Sequence, residues 1–338
     1  MRALPEPNNV PLTGGPTLRW GVLAPGRIAR EWVRTVHANT DQRVVAAASR
    51  TLERAQQFAD EFGIDTAYGS YEQLVADPRV EAVYIAAPHS EHRALALLAI
   101  AAGKHVLIEK PIAVTVAEAA DIIEAARAAG VFAMEAMWSR FLPQHTIVAQ
   151  LLEAGDLGEV LTVTGDFGAK FEFDPASRAF DPALGGGALL DIGVYPAWFA
   201  HFVLGAPHAV TATGSLASTG VDAQAALILD YASGAQAAIT TSMLVPTPLA
   251  ATVSGTLARI EFPGPFMGPG SFSVTAGDER LEWREPTGLR WGEGLCYQAT
   301  AVAQHVADGL TESPWHSLDD TLEIMAVLES ARTQLGAL

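Results

Sequence analysis

Residues 20–32 read WGVLAPGRIAREW and join an apolar, strand-like run to a helical pattern. Small residues fill the turn between them, so backbone N–H groups and the positive end of a helix can approach a phosphate. Aligned with the dinucleotide-binding pattern G-x-G-x-x-G/A, the turn gives Ala24, Gly26 and Ala29. An alanine replaces the first glycine, and a proline removes one N–H donor. We expect the phosphate-binding turn to consist of Ala24, Pro25, Gly26, Arg27 and Ile28.

The alternation of a strand-like run with a helical stretch continues beyond this turn. Short apolar runs alternate with helical stretches from Leu18 to about Met137, as in a parallel sheet with crossover helices. This context favours dinucleotide binding over an ordinary strand-to-helix turn. Later runs alternate polar and apolar residues, which predicts mainly antiparallel strands, and two late helical stretches complete this half. The sequence therefore predicts an α/β protein with a tail at 1–17, a Rossmann domain at 18–137 and an α+β domain at 138–338.

The composition limits the classes of partner. With 38 acidic and 21 basic residues, the formal charge of −17 disfavours nucleic acids and anionic membranes as partners.

The single cysteine, Cys296, excludes an intramolecular disulfide framework and fits a reducing compartment. No signal-peptide core or membrane span is recognised, so a cytoplasmic location is expected. The histidines show no metal-ligand spacing, and no metal is predicted.

The end of the second predicted strand bears on the choice of cofactor. An NAD site usually places an acid there to bind the ribose hydroxyl, whereas this chain has Ser49 and Arg50. Together with Arg54 they can bind a 2′-phosphate, which favours NADP(H) over NAD(H). The alternative is that the two arginines only offset the acids of the following helix, Glu53, Asp60 and Glu61.

A second motif is VLIEKP, residues 106–111, in which a buried strand runs into Glu109 and Lys110. Ligands of parallel sheets bind outside the carboxyl ends of the strands, where this lysine falls. Lysine there can hydrogen-bond a substrate hydroxyl and favour loss of its proton. Pro111 is a candidate for a cis peptide. Alone, Lys110 would be interpreted as a surface residue whose ammonium reaches water.

A third motif, GGGALLDIGVYP, covers residues 185–196. Its glycines permit a tight turn before an apolar helical segment. Asp191 and Tyr195 are four residues apart and should share one helix face. An acid among aliphatic residues needs a partner, for which we expect Lys110 or a substrate hydroxyl. The alternatives are a capping acid and a core tyrosine with a satisfied hydroxyl.

Taken together, AAPHSEH, VLIEKP and GGGALLDIGVYP resemble the motifs of the Gfo/Idh/MocA oxidoreductase family. Within it, EAMWSRFLP beside the motif tyrosine is similar to the dimeric dihydrodiol dehydrogenase and NADP-linked xylose dehydrogenase branch. The resemblance implies a Rossmann domain and a second domain with a large open sheet for substrate binding and oligomerisation. It also implies NAD(P)-dependent hydride transfer to or from a sugar, polyol or cyclic trans-diol. It also implies further cofactor-site residues beside Lys110, namely Ala87, Pro88, His89, His92 and Glu109.

These inferences lead to a hypothesis about the reaction. Tyr195 exchanges the hydroxyl proton, Lys110 favours the phenolate and holds the substrate oxygen, and Asp191 orients the group. A competing version makes Lys110 the base and Tyr195 a substrate hydrogen-bonder. Trp138 and Arg140 follow the last Rossmann strand and are predicted to bind substrate. The phenylalanines nearby are interpreted as core residues, namely Phe167, Phe171, Phe173 and Phe180.

Two further expectations concern assembly and class. The alternating strands leave one sheet face for a partner subunit, so a homodimer or homotetramer is expected. The rival to an enzyme is a protein that binds NADP and senses it without catalysis. Retention of Lys110, Asp191 and Tyr195 argues against that rival, and a purely structural module explains none of the three motifs.

Overall fold

The first sheet of the computed structural model, which describes residues 3–337, has six parallel strands in the order β3-β2-β1-β4-β5-β6. The order reverses between β1 and β4, and such a reversal is where open α/β sheets bind ligands. The strands are β1 (Arg19–Leu23), β2 (Arg43–Ala48), β3 (Thr66–Tyr68), β4 (Ala82–Ile85), β5 (His105–Ile108) and β6 (Ala133–Glu135). The crossover helices are α1 (Arg27–Asn39), α2 (Leu52–Phe62), α3 (Tyr71–Val75), α4 (His92–Ala101) and α5 (Val116–Ala129). The predicted Rossmann fold is confirmed.

Local sequence signals account for these helices. One face of α1 is buried, and its Trp32 stacks on Tyr84 of β4 with ring centroids 4.3 Å apart. Helix α5 begins with the predicted capping box: the Thr115 hydroxyl accepts from the Glu118 N–H at 3.2 Å. The Glu118 carboxylate accepts in return from the Val114 N–H at 3.1 Å. Helix α5 therefore starts where its sequence predicts.

The second sheet has eight strands in the order β14-β13-β12-β11-β7-β10-β9-β8. The pair β7–β10 is parallel and the other pairs are antiparallel, which confirms the predicted mainly antiparallel sheet. The strands are β7 (Val160–Gly168), β8 (Ala209–Leu216), β9 (Asp222–Asp230), β10 (Gln236–Ser242), β11 (Ala251–Gly255), β12 (Arg259–Phe262), β13 (Ser271–Ala276) and β14 (Glu279–Arg284). The remaining helices are α6 (Pro143–Glu153), α7 (Val194–Leu204), α8 (Cys296–Ala307) and α9 (Leu318–Leu335).

The core prediction for the four phenylalanines holds at two positions and fails at one. Phe167 and Phe180 are buried, but the Phe173 side chain is 54% exposed. Strand β7 ends at Gly168, where its pairing with β10 also ends. Phe173 therefore lies beyond the sheet, where its ring packs edge-on against Phe180 with centroids 5.0 Å apart and stays about half exposed.

The chain divides into two compact units that are each discontinuous in sequence. One contains residues 9–141 and 291–321, and the other contains residues 3–8, 142–290 and 322–337. Helix α8 thus packs with α1 in the first unit, although the sequence pattern had grouped both late helices with the second half. The Thr35 hydroxyl of α1 donates to the Glu293 carbonyl at 2.6 Å and ties this returning segment to the first unit.

Residues 182–204 are long and apolar enough to cross a membrane by length and composition alone. Of its most apolar 18-residue window, 78% is buried inside the protein. Core helices of folded domains have the same properties, and we interpret residues 182–204 in that way.

Candidate active site

The turn after β1 has the backbone that a phosphate-binding turn needs. Ala24 has a φ of 58°, a left-handed conformation that favours glycine, although the position carries an alanine. Gly26 precedes α1 without a side-chain cap, and the first turn of α1 holds no acid. Arg27 points to solvent and pairs with Glu31 at 3.3 Å, while Ile28 is half-buried. The free N–H groups at this helix end fit a dinucleotide pyrophosphate.

Two arginines, Arg50 and Arg54, follow the end of β2. Ser49 is buried, and its N–H donates to the Tyr68 carbonyl at 3.2 Å, while Arg50 and Arg54 are exposed. Burial raises the pKa of the nearby Tyr71, and the charges of both arginines oppose that shift. Both guanidinium groups therefore lie near enough to Tyr71 to affect its pKa.

One acid of α2, Glu61, has arginine partners on α1. Glu61 pairs with Arg30 at 2.8 Å and with Arg34 at 3.6 Å. Among residues 3–337, no salt bridge joins Arg50 or Arg54 to a carboxylate. The two arginines therefore do not pair directly with the acids of α2, and their binding of a ligand phosphate stays a prediction.

The segment after β4 is held by a buried histidine. Ala87 and Pro88 are half-buried, and His89 is buried in a short 3-10 turn. His92 has no exposed surface; its Nε2 lies 2.9 Å from the Ala87 carbonyl and its Nδ1 lies 2.9 Å from the Pro111 carbonyl. Burial lowers the pKa of His92. Since a neutral imidazole donates from one nitrogen only, the ring joins the two loops by one hydrogen bond at a time.

The loop after β5 is fixed by two buried carboxylates. The Lys110–Pro111 peptide is cis, as the sequence suggested. Glu109 accepts from the Tyr84 hydroxyl at 2.5 Å and from the Lys110 backbone N–H at 3.2 Å. Glu135 accepts from the Ile112 N–H at 2.9 Å. Glu109 therefore orients Lys110 through its main chain.

Glu135 was missed by sequence reasoning. Its second oxygen lies 3.0 Å from Nε2 of His316, and both side chains are almost fully buried. An acid inside the apolar run VFAMEAM was the signal that could have identified it. A carboxylate in such a run requires partners, and here they are a backbone N–H and a histidine.

Trp138 and Arg140 lie in a short 3-10 helix after β6, and both are buried. The Trp138 ring packs edge-on against Trp291 with centroids 6.3 Å apart. The Arg140 Nε donates to the Trp315 carbonyl at 2.9 Å, and its guanidinium lies 5.6 Å from that indole ring. Arg140 thus contacts Trp315 of the protein itself, and its contact with substrate stays a prediction.

The third motif begins with a wide turn. Leu189–Gly193 is π-helical and leads into α7, where the sequence predicted one continuous helical segment. Pro196 has no N–H and cannot donate to Ile192, which removes one regular helical bond at this point. Asp191 and Tyr195 are both buried, and the Tyr195 ring lies 5.5 Å from Phe167.

Asp191 has a partner that the sequence did not reveal. Both of its oxygens are 3.2 Å from the Arg178 guanidinium, in a two-pronged ion pair. Arg178 is the one basic residue between Lys170 and Asp191, which was the available signal. The buried carboxylate is thereby charge-compensated within its own unit.

A parallel sheet with a phosphate turn at its point of strand reversal defines a dinucleotide-binding protein. Residues 18–137 match the oxidoreductase family with an NAD-binding Rossmann fold, and residues 145–261 match the GFO/IDH/MocA C-terminal domain. The chain belongs to the Gfo/Idh/MocA family of NAD(P)-binding oxidoreductases.

Similar proteins include named enzymes. A trans-1,2-dihydrobenzene-1,2-diol dehydrogenase of Xenopus tropicalis is 37% identical over 94% of this chain and 98% of its own. The crystal structure of an aldose-aldose oxidoreductase from Caulobacter crescentus has a TM-score of 0.84 at 27% identity, covering 94% of this chain and 97% of that one. A 3-ketoreductase from Actinomadura kijaniata, solved with NADP and TDP-benzene, has a TM-score of 0.80 at 28% identity, covering 94% and 98%. These likenesses support a dehydrogenase that acts on CH–OH groups.

Proposed function

We propose that this protein is an NADP-dependent dehydrogenase that oxidises a CH–OH carbon of a cyclic trans-diol, a sugar or a polyol. The observation that carries the proposal is the uncapped start of α1 together with two arginines that have no carboxylate partner within residues 3–337. Similarity to a dihydrodiol dehydrogenase supports a cyclic trans-diol as the first substrate to test, and similarity to an aldose-aldose oxidoreductase supports an aldose as the second.

The cofactor preference follows from charge. A 2′-phosphate distinguishes NADP from NAD, and Arg50 and Arg54 supply two exposed guanidinium groups at the end of β2. Bound nicotinamide supplies the site of hydride transfer. The turn Ala24–Gly26 and the start of α1 hold the pyrophosphate, and NAD(H) is the weaker alternative because it leaves both arginines without a ligand phosphate.

The proton of the substrate hydroxyl is handled by ionisable side chains in the two motifs. Tyr195 exchanges this proton, and Lys110 donates a hydrogen bond to the substrate oxygen. Asp191 orients the group and is itself held by Arg178. The competing assignment gives Lys110 the role of base and leaves Tyr195 as a hydrogen-bond donor to substrate.

A pair of variants tests this assignment. Tyr195→Phe removes the hydroxyl and should lower kcat by about 10²–10⁴-fold at neutral pH. Tyr231→Phe is the matched control, because that tyrosine is also buried and its hydroxyl has no hydrogen-bond partner within the described residues. Wild-type turnover in Tyr195→Phe would remove the proton-exchange role and leave Lys110 as the base.

We also propose that the protein self-associates through one face of the second sheet. Ile228 of β9 is 42% exposed on that face, between its cross-strand neighbours Thr211 and Ala238, which are exposed as well. Two such faces form an isologous dimer, and two dimers form a tetramer. Light scattering after size-exclusion chromatography should give a dimer mass, and Ile228→Asp should shift that mass to a monomer. A wild-type monomer would exclude this assembly.

A further inference from the structure

Asp222 opens strand β9 and has no exposed surface. Its Oδ2 accepts from the Leu189 N–H at 2.6 Å. Leu189 is the first residue of the π-helical turn that contains Asp191. We propose that Asp222 is a positioning residue that fixes the segment 187–195, and with it the side chains of Asp191 and Tyr195. The inference rests on the function proposed above for those two side chains.

The start of this helical segment requires an acceptor from elsewhere. The first N–H groups of a helix have no partner within the helix, and a buried N–H without a partner is costly. Residues 187–193 are all buried, so water does not supply the acceptor. A carboxylate 33 positions further along the chain meets that need at Leu189.

The last glycine of the run fits the same contact. Gly187 has a φ of 120°, a conformation that residues with a side chain rarely adopt. A Cβ at this position would also collide with Oδ1 of Asp222. The glycine therefore lets the chain pass directly over the carboxylate, which explains why a side chain is excluded here.

The charge of Asp222 is partly compensated. Burial raises the pKa of Asp222 to about 6, while the Leu189 N–H and the charge of Arg332 oppose that shift. Arg332 is a buried residue of α9, and Asp222 in turn raises its pKa against the effect of burial. An ionised carboxylate makes a stronger hydrogen bond to a backbone N–H than a neutral group does.

A second close contact limits the segment on its other side. A Cβ at Gly193 would lie 3.1 Å from the Thr241 side chain of β10, so the backbone of the π-helical turn lies against that strand. The turn is thus bounded by β9 at its start and by β10 at its end. Loss of the Asp222 contact leaves the Leu189 N–H without its acceptor, while the Thr241 hydroxyl still donates to the Ala188 carbonyl at 3.5 Å and the end of the turn stays packed. Asp191 lies between these two points.

Three variants test the positioning role. Asp222→Ala removes the acceptor, Asp222→Asn keeps an oxygen acceptor without the charge, and Asp230→Ala is the control at the far end of the same strand. Asp230 is half-buried, and its carboxylate contacts Gln236 at 2.8 Å. Each variant is compared with wild type for kcat, substrate KM, NADP binding, thermal midpoint and hydrogen exchange of amides 188–195.

We expect Asp222→Ala to lower kcat by about ten- to hundredfold, because small displacements of reacting groups have effects of that size. NADP binding should stay within about twofold, because the proposed cofactor residues are in the other compact unit. Exchange of amides 188–195 should accelerate, Asp222→Asn should recover most of kcat, and Asp230→Ala should behave as wild type.

Other outcomes overturn the positioning role. They are a kcat within about twofold of wild type in Asp222→Ala, or a fall in NADP binding that parallels the fall in kcat. If Asp222→Ala does not fold, Asp222→Glu moves the carboxylate by one methylene and should lower kcat without changing NADP binding. If wild type turns over no substrate, the proposed function fails, and the exchange of amides 188–195 still decides the role of Asp222.

Discussion

The loop after β5 and the turn before α7 each carry a proposed catalytic side chain, and each depends on a buried carboxylate. Glu135 accepts from the Ile112 N–H at 2.9 Å, and Asp222 accepts from the Leu189 N–H at 2.6 Å. In both places the backbone leaves regular secondary structure while it is buried. A carboxylate from a distant part of the chain then replaces the missing backbone acceptor.

The two places differ in how many supports they have. Glu109 and His92 also hold the loop after β5, and His316 contacts the second oxygen of Glu135. At the start of the turn before α7, Asp222 accepts from the Leu189 N–H and the Thr241 hydroxyl donates to the Ala188 carbonyl, and Oδ1 of Asp222 has no hydrogen-bond partner among residues 3–337. We conclude that several buried ionisable side chains support the first loop redundantly, whereas one carboxylate among residues 3–337 supports the start of the second.

The largest effect expected is on turnover, when the lysine of the first loop is removed. Lys110→Ala should lower kcat by about 10²–10⁴-fold, because the proposed mechanism places the ammonium group at the reacting oxygen. Lys170→Ala, in which an exposed lysine is removed, should keep wild-type kinetics. Steady-state assays with NADP measure both variants. Near-normal turnover in Lys110→Ala would leave the loop after β5 without a catalytic role.

A smaller effect is expected for the cofactor arginines. Replacing Arg50 and Arg54 together by alanine should raise the KM for NADP about ten- to hundredfold and leave the KM for NAD unchanged, because charged hydrogen bonds to a phosphate are lost. Arg43→Ala, at the opposite end of β2, is the control. An equal change in both KM values would contradict binding of the 2′-phosphate.

The redundancy of the first loop can be measured through stability. Glu135→Ala leaves the buried Ile112 N–H without an acceptor and should lower the free energy of unfolding by about 1–3 kcal/mol. Its kcat should nevertheless fall less than that of Asp222→Ala, because Glu109 and His92 remain. Urea unfolding and steady-state kinetics on both variants provide the comparison. A greater loss of kcat in Glu135→Ala would reverse our conclusion about redundancy.

The smallest effect concerns pH. The pKa of Asp222 is about 6 in the folded protein, above the ordinary value of 3.8, so its contribution to stability is lost as pH rises through about 6. Between about pH 5 and pH 8, wild type should lose about 1 kcal/mol of unfolding free energy relative to Asp222→Asn. Urea titrations at a series of pH values measure this difference. A difference that is constant with pH would show that Asp222 does not titrate in this range.

The regular parts of the fold followed from local sequence. The turn around Ala24 and Gly26, the capping box of α5 and the polar–apolar alternation of the second sheet are all short-range patterns, and each is present. The cis peptide at Pro111 was also suggested by its motif. Such features depend on residues within a few positions of one another, which a single sequence displays.

The supports of the candidate site did not follow from sequence. Arg178, Glu135 and Asp222 act on residues 13 to 33 positions away, and their contacts depend on strand pairing that no local pattern specifies. The packing of α8 in the first unit likewise depends on contacts between distant parts of the chain. Sequence motifs identified the side chains that are proposed to react. The residues that hold those side chains could be identified only from the three-dimensional structure.

The most direct measurement is the change in nicotinamide absorbance of purified protein with NADP and NAD in parallel, against cyclic trans-diols, aldoses and inositols. We predict reduction of NADP with a trans-diol or an aldose, and much slower reduction of NAD. Tight binding of NADPH without turnover of any substrate in either direction would contradict the assignment and favour a protein that senses NADP.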